Sequence, residues 1–570
     1  MSATAATSIV VLGATALPVA RRIQQCLPGA QVLGLQGRAN EADATYQAFG
    51  ETVRGLYKAG TSIIALCAAG IVIRALAGVL DEKGSEPPVL AVAEDGSAVV
   101  PLLGGLGGVN DLARRIAAAL EVAPAITTSG ELRFGTCLLN PPPGYVLADL
   151  EQGKHFVSDL LAGQPVRVEG DAPWLAAAKV PMAPDATRAI RVSPRQGQAA
   201  GELLIHPRSV AVAVEAEMPE LQATVAAALA TEGLAPAALA CLVAPGSLMG
   251  SAALAQVAEA LGAELRFAPE GTAGQALRAT LPQAVHTQRA GLAVAVNPVP
   301  LQPNDLGQRR GRLAVVGLGP GARAFMVPAV QAELARAEDV LGYETYVNMA
   351  GPFRPDQVLH CTDNREELQR ARHALDLAAS GRAVVVVSSG DPGVFAMASA
   401  VLEALEASTN PAWHAVELQM LPGVSASLAT AALAGAPLGH DFCVISLSDN
   451  LKPWSVIEQR LDLAGQADLA MAFYNPISRS RPWQLGQALE VVRRHRSPQT
   501  PVVLGRDIAR PGQRLTVVAL GDLTAEMVDM RTMVLVGSST TRTLARSDGP
   551  PWVYTPRWYP RPPGEEAVLS

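Results

Sequence analysis

Four short stretches combine residue types that let a backbone approach a ligand closely: GLGPG at 317–321, SSGDPGVF at 388–395, LPGVSA at 421–426 and FYNP at 473–476. Each closes an apolar run of the kind that forms a buried strand. In SSGDPGVF, Gly390 and Gly393 leave room for a bound molecule against the main chain and Pro392 stiffens the turn. Asp391 adds a fixed carboxylate, which either accepts hydrogen bonds from a bound hydroxyl or amine or caps the helix predicted over AMASAVLEALEA. Ser425 opens the alanine-rich SASLATAALAG, whose first amides either receive a carboxylate or are capped by that serine. Ligands of open α/β sheets sit outside the carboxyl ends of the strands, so such turns recurring within one segment predict one shared cleft.

GLGPG invites comparison with a dinucleotide-binding fingerprint, but the chain reads GLGPGARAF, with Pro320 inside the turn and no glycine at 322. A nucleotide-binding oxidoreductase would also need an acidic ribose partner about 20 residues on. Glu338 or Asp339 would have to serve, and both lie in the helix-like AVQAELARAEDV.

The elements that must position these turns belong to a long α/β chain. At 570 residues it has room for about three or four domains. Residues 1–133 alternate apolar runs such as SIVVLG and TSIIALCAAG with helical stretches such as DLARRIAAAL, the rhythm of an α/β layer fold. Residues 134–202, rich in proline and glycine, read as a bridging region with some strand content, and 203–300 as a second, small α/β domain. NPVPLQPNDLGQRRG, 297–311, has the composition of an exposed linker. Beyond it, 311–550 forms a further α/β unit with subdomains at about 311–421 and 422–550.

A net charge of −7 without any basic block argues against nucleic acid as a partner. SIIALCAAGIVIRALAGVL, 62–80, approaches membrane-span length, yet Arg74 interrupts it and Gly70 divides it into a strand-like and a helix-like half. The opening MSATAATSIVVLG lacks a basic leader and is expected to be a first strand. Six scattered cysteines form no metal-ligand spacing, which fits a reducing cytoplasm and predicts no metal site.

From Leu313 to about Arg542 the chain resembles the tetrapyrrole methyltransferases of corrin biosynthesis. The stretches that carry the resemblance are VVGLGPG, LGYETYV, SSGDPGVFAMA, LPGVSA, GAPLGHDFCVISLSDNLKPWSVIEQRL, FYNPISRSR and VDMRTMVLVGSSTTR. The resemblance implies a fold of two α/β subdomains that holds S-adenosylmethionine in a cleft. It also implies methylation of precorrin-3B at C17 with ring contraction to precorrin-4, in cobalamin synthesis. Carried over to this chain, it places Ser389, Gly390, Asp391, Val394, Ser425, Ala426, Asn475 and Met533 around the cofactor. Gly317, Gly319 and Pro320 would shape the floor of the cleft near a tetrapyrrole, with Arg479 and Arg481 as partners for its carboxylates and Arg506 as a further candidate. A homodimer formed through this half is expected as well. A sulfonium methyl is already activated, so the chemistry is mainly alignment. No general base is assigned, and His440, Asp441, Tyr343 and Tyr474 are the groups to examine for the proton transfers of ring contraction.

The front half resembles cobalt-precorrin-5A hydrolases, through CAAGIVIRALAGVLDEKGSEPPVLAVAEDG, PLLGGLGGVNDLARRIA and PAITTSGE, and more faintly through LLIHPRSVAVAV and LVAPGSLMGSAALAQVAEALGAELRF. Two departures stand out. Leu106 occupies the place of that family's histidine, and Glu215 and Glu217 stand where basic and thiol groups belong. Carboxylates there repel an anionic macrocycle. Asn110, Ser129 and Arg74 remain as polar pocket candidates. Two readings stay open, a second active site acting on cobalt-containing intermediates or a degenerate module kept for binding and scaffolding, and the departures favour the second. A tetrapyrrole carrier without enzymatic activity is a further alternative, and it would have no use for a methyl donor.

Overall fold

The computed structural model describes residues 7–27, 29–80, 86–197, 199–268, 271–363, 366–478 and 481–559. The run SIVVL forms the strand Thr7–Val11 at the centre of a six-stranded sheet, in the spatial order Ala44–Tyr46, Gln31–Leu35, Thr7–Val11, Ser62–Leu66, Val89–Val92, Val99–Leu103. All neighbours are parallel except the last pair. Alternate residues feed opposite cores: Ile9 and Val11 pack with Leu17 and Ile116, while Val10 packs with Ile63 and Val72. The apolar stretch at 62–80 divides at its glycine as expected, into the buried strand Ser62–Leu66 and the helix Ala69–Leu76. Among the described residues no helix is long and apolar enough to cross a membrane.

The bridging stretch carries more structure than its prolines suggest. Tyr145–Leu147, Glu202–Pro207, Arg188–Val192 and Val166–Glu169 form a four-stranded sheet covered by a core that includes Phe134, Phe156 and Leu160. The prolines end short elements here without excluding them. Next comes a five-stranded sheet ordered Glu264–Ala268, Leu239–Pro245, Val210–Ala213, Leu292–Val296, Val285–Arg289.

The stretch 297–311 is not the exposed linker its composition predicts. Leu301 and Leu306 are buried in the core of the preceding sheet, and Phe267 and Gln308 exchange backbone hydrogen bonds of 2.8 and 3.1 Å. On its far side, Gln308 Nε2 donates to Ala379 O at 3.3 Å and Arg310 Nε to Ala415 O at 2.8 Å. Two leucines spaced among polar residues are enough to seat it.

After residue 311 the chain forms an all-parallel sheet in the order Val358–Thr362, Asp339–Tyr343, Ala383–Ser388, Arg312–Gly317, Glu417–Leu421. Its central strands are buried on both faces: Val384 and Val386 point into one core, Val385 and Val387 into the other. A second, mixed sheet follows, ordered Phe442–Ser446, Ala470–Tyr474, Thr532–Val536, Pro501–Arg506, Arg514–Ala519. Because Arg312–Gly317, Ala383–Ser388 and Glu417–Leu421 are adjacent and parallel, the turns that follow them emerge side by side at one edge.

The opposite edge, where these strands begin, is tied by charged side chains. Arg312 forms a two-pronged bond to Glu333 (2.9 and 2.8 Å) and also reaches Glu417 and, at 2.6 Å, Gln419. Asp339, which is buried, accepts from His360 Nε2 at 2.9 Å and from Arg382 Nε at 2.5 Å. This disposes of the oxidoreductase alternative, since Asp339 is committed to that network and Glu338 pairs with Arg309 and with the Ala383 amide at 2.8 Å. Replacing Arg312 by Met leaves the buried Glu333 carboxylate with only the more distant Arg336, at 3.6 Å, and is expected to cost about 3 kcal/mol of stability. Urea denaturation measures this, and ligand binding at the far edge should change little.

Candidate active site

The three turns that leave the parallel sheet touch one another through bare backbone. Gly319 and Gly390 form a two-bond bridge, with N to O distances of 3.1 and 2.8 Å. A Cβ on Gly423 would lie 2.2 Å from Gly390 O and 2.6 Å from Gly317 O, and one on Gly317 would lie 2.4 Å from Gly390 O. Only glycine allows this approach. Gly390 also has φ +68°, and the space a side chain would fill there faces Ser425 Cα at 3.6 Å and Ala426 N at 3.8 Å.

Asp391 fixes the cluster. Its carboxylate accepts from Gly393 N at 2.8 Å within its own turn and from Gly423 N at 3.1 Å in the neighbouring one. It is therefore not the helix cap considered from the sequence: the following helix begins only at Met397, where Ser388 Oγ receives the first amide at 3.4 Å. Ser425 does cap its helix, Ala426–Ala434, accepting from Leu428 N at 3.5 Å, and it contacts Ser427 Oγ at 3.0 Å.

The second sheet completes the cleft. Tyr474 ends the strand Ala470–Tyr474, and its hydroxyl lies 3.1 Å from Ser427 Oγ and accepts from Ser427 N at 3.2 Å. Asn475 follows at φ 50° and donates to Ser446 Oγ at 3.1 Å. Phe395, the last residue of SSGDPGVF, has φ 54° and packs its ring against Tyr474, with centroids 5.4 Å apart. Arg510 crosses from the second sheet to the first. It donates to Pro320 O at 2.8 Å and to Ser389 Oγ at 3.4 Å, and its stem lies over Gly321.

Of the residues singled out from sequence, Gly317, Gly319, Pro320, Ser389, Gly390, Asp391, Ser425 and Ala426 are linked through these contacts, and Val394 joins them through its amide to Asp391 O at 3.2 Å. Met533 is buried in a core cluster with Ala431 and Leu535 that also packs against Ala426 and Tyr474, so it backs the wall. Arg479 lies outside the described residues. Arg481 is half-buried, and its Nη1 is enclosed without a hydrogen-bond partner among the described residues. Arg506 is spent elsewhere, bonded to Asp529 at 2.8 Å and Asp507 at 3.1 Å, and the Asp529 carboxylate raises its pKa. Of the four groups considered for proton transfer, Tyr474 makes contacts with this cluster. Tyr343 packs edge-on against Tyr346, and His440 against Tyr559, with Asp441 exposed beside it. Phe395, Ser427 and Arg510 escaped the sequence reading; the first two lie inside or beside a quoted turn, and Arg510 lies in a turn that the sequence did not single out.

In the front half, the polar candidates do not assemble a pocket. Asn110 donates to Thr128 Oγ1 at 3.0 Å and to the buried Glu131 at 2.6 Å, and Arg114 also pairs with Glu131. Arg74 and Ser129 are exposed. Glu215 accepts from the first amides of the helix Ala273–Thr280, at 3.0 and 2.7 Å from Ala273 N and Gly274 N, while Glu217 is exposed. Leu106 lies in a short 3-10 turn, Gly105–Gly107. Burial pushes the Cys67 thiol up to about 11, which keeps it protonated near neutral pH.

Two α/β lobes meeting beside glycine-built turns at the carboxyl ends of parallel strands give the arrangement of a small-molecule site of the α/β class. Residues 312–524 match the Tetrapyrrole (Corrin/Porphyrin) Methylases, and residues 51–131 match the family described as Cobalamin synthesis G N-terminal. A precorrin-3B C(17)-methyltransferase from Sinorhizobium sp is 52% identical over 250 residues, covering 44% of this chain and 97% of the relative. A probable cobalt-factor III C(17)-methyltransferase from Salmonella typhimurium is 41% identical over 247 residues, covering 43% of this chain and 99% of the relative. The crystal structure of the methyltransferase CobJ, 54% identical, matches 43% of this chain and all of that one, with a TM-score of 0.41. The chain belongs to the tetrapyrrole methylase family, and its carboxyl-terminal half is a methyltransferase.

The contact geometry makes Gly423 far less replaceable than a helical glycine with open space. Gly423→Ala should lose about 2 kcal/mol or more through forced displacement of the turns. Gly486→Ala, within the helix Gln484–Arg493 and with nothing within 4 Å, should gain roughly 0.5–1 kcal/mol. Chemical denaturation of both variants compares the two signs.

Proposed function

We propose that the carboxyl-terminal half methylates precorrin-3B at C17 with S-adenosylmethionine, with ring contraction to precorrin-4, in the synthesis of the corrin ring of cobalamin. The observation that carries this reading is the glycine cluster locked by Asp391, in a chain half that is 52% identical to a protein named for that reaction.

The residues present fit the cofactor. Gly390 leaves a cradle in front of Ser425 and Ala426 that any Cβ would begin to fill. Ser389, Gly390, Asp391 and Val394 would hold the methionine and ribose portions, Ser425 and Ala426 would meet the cofactor from the second turn, and Asn475 would lie toward the adenine, with Met533 backing Ala426. Both oxygens of Asp391 already accept one amide each, and each keeps a lone pair for a bound hydroxyl or amino group. The donor supplies a sulfonium methyl that needs no further activation. What the chain contributes is alignment: two lobes pinned by Arg510 set the substrate carbon opposite that methyl while excluding water. Gly317, Gly319 and Pro320 form the floor on the macrocycle side. Tyr474, held by Ser427, is the group to test for a proton transfer, and no general base is assigned.

The front half serves as a hydrolase-like binding and scaffolding module. Support comes from Asn110 and Glu215, which are committed to structural hydrogen bonds, and from Leu106, which cannot transfer a proton. The substrate is accordingly taken as the metal-free macrocycle. A cytoplasmic location and a homodimer formed through the methyltransferase half complete the reading.

The test supplies the full-length protein with precorrin-3B and methyl-labelled S-adenosylmethionine, following label by mass spectrometry and contraction by absorbance. One labelled methyl in a contracted ring is expected. Bound cofactor without transfer overturns the metal-free assignment and directs the search to cobalt-factor III. In a separate assay, the protein given the cobalt-precorrin-5A lactone should leave it closed, and release of the two-carbon fragment would establish a second active site.

A further inference from the structure

Beside the cleft, two cations lack the partners that others in this chain possess. Lys452 lies in the loop between the strand Phe442–Ser446 and the helix Trp454–Gln466. Its Nζ sits 5.9 Å from the ring centroid of Phe395, and no carboxylate among the described residues pairs with it. Burial and the nearby Arg460 lower its pKa, a sign that it lacks compensating negative charge. Arg481, with its enclosed and unpartnered Nη1, lies on the adjoining loop. The two loops are tied together by Gln484 Nε2 donating to Asp449 at 3.1 Å and by the Trp454 and Trp483 rings, 5.0 Å apart.

The same place shows apolar groups to solvent. Phe395 is 51% exposed although it occupies a left-handed backbone conformation that bulky residues avoid, Trp483 is 42% exposed, and Leu451 at the loop tip is 93% exposed. Exposed aromatic surface and unpaired cations coinciding at the strained end of the SSGDPGVF turn are costly for a free protein, and an apolar, flat anion covers the first and answers the second.

We propose that Phe395 and Lys452 form the ledge on which the macrocycle docks, the phenyl ring against the tetrapyrrole face and the ammonium on one of its peripheral carboxylates. This rests on the reading of a carboxylate-bearing tetrapyrrole as substrate. Phe395 then has two duties: it touches Tyr474 across the lobes and presents its other face to the substrate. Lys452 selects for the anion, and Arg481 takes a second carboxylate. Leu451, next to Lys452, covers the edge of the bound ring.

The probe is uroporphyrin, a stable tetrapyrrole with eight carboxylates, titrated against the full chain by quenching of tryptophan fluorescence. Lys452→Met should weaken binding about tenfold, as expected for loss of one charge-assisted contact, and should flatten its dependence on salt. Lys452→Arg should keep affinity within about threefold, and Phe395→Leu should weaken it at every salt concentration. S-adenosylhomocysteine affinity, measured by calorimetry, should stay within about twofold in the two Lys452 variants, which shows the cleft intact. Uroporphyrin binding by Lys452→Met equal to wild type overturns the ledge. An unchanged KM for precorrin-3B in an active Lys452→Met variant overturns it too and leaves the proposed reaction standing. Conversely, Lys452-dependent porphyrin binding without methyl transfer by the wild type retains the ledge and refutes the reaction.

Discussion

Everything at the active edge depends on three turns being able to touch without side chains between them. Gly317, Gly390 and Gly423 bring carbonyl and amide groups of three successive strand ends to distances that a single Cβ would violate. The parallel sheet makes this possible because its strands deliver their carboxyl ends side by side. It also makes the arrangement demanding, because each turn must then leave the edge without displacing its neighbour. Asp391 converts proximity into rigidity by accepting amides from two of the turns. A cleft built from main chain has few rotamers to order when a ligand arrives, so binding loses little side-chain entropy.

The two edges of that sheet solve opposite problems. Where the strands begin, Arg312, Glu333, Asp339, His360 and Arg382 form ion pairs and hydrogen bonds that are partly or fully buried. Where they end, glycine brings bare backbone together, and the charges present, Asp391 and Arg510, bond to main-chain groups and to Ser389 rather than to each other. Stability and ligand access are thereby separated along a strand of six residues, Ala383–Ser388. The connecting segment contributes at the stabilising edge: Arg309 Nε donates to Gly381 O at 2.7 Å, two residues before that strand begins. The connecting segment is thus tied to the turn just before the strand that carries SSGDPGVF.

The sequence disclosed most about groups whose role is set by their own neighbours in the chain. Glycine and proline at strand ends announce close backbone approach, and Ser425 before an alanine-rich run announces a cap. It disclosed least about groups whose role is set by distant partners. Asp391 was open to two local roles, and its bond to Gly423 belongs to neither. Arg510 acts on Pro320, 190 residues away in sequence, and its position in ARPG looks like that of any turn arginine. Arg506, four residues earlier, has the same local appearance and is consumed by Asp529 and Asp507. Leu301 and Leu306 failed as signals for a related reason, because two leucines among prolines reveal burial only once the sheet they cover is known.

That contrast between arginines bears on how an acidic chain would receive the anionic macrocycle proposed as its substrate. With a net charge of −7, long-range attraction is not available to gather a polyanion. Recognition must then come from a few cations whose charge is not already answered. Arg312, Arg382, Arg506 and Arg531 each have a carboxylate within 3.1 Å, so their fields are largely cancelled at short range. Cations left unpaired stand out against that background more sharply than they would on a basic protein. Specificity follows from the same arithmetic, since a neutral flat molecule gains the aromatic surface but leaves the cations unanswered, and a small anion does the reverse.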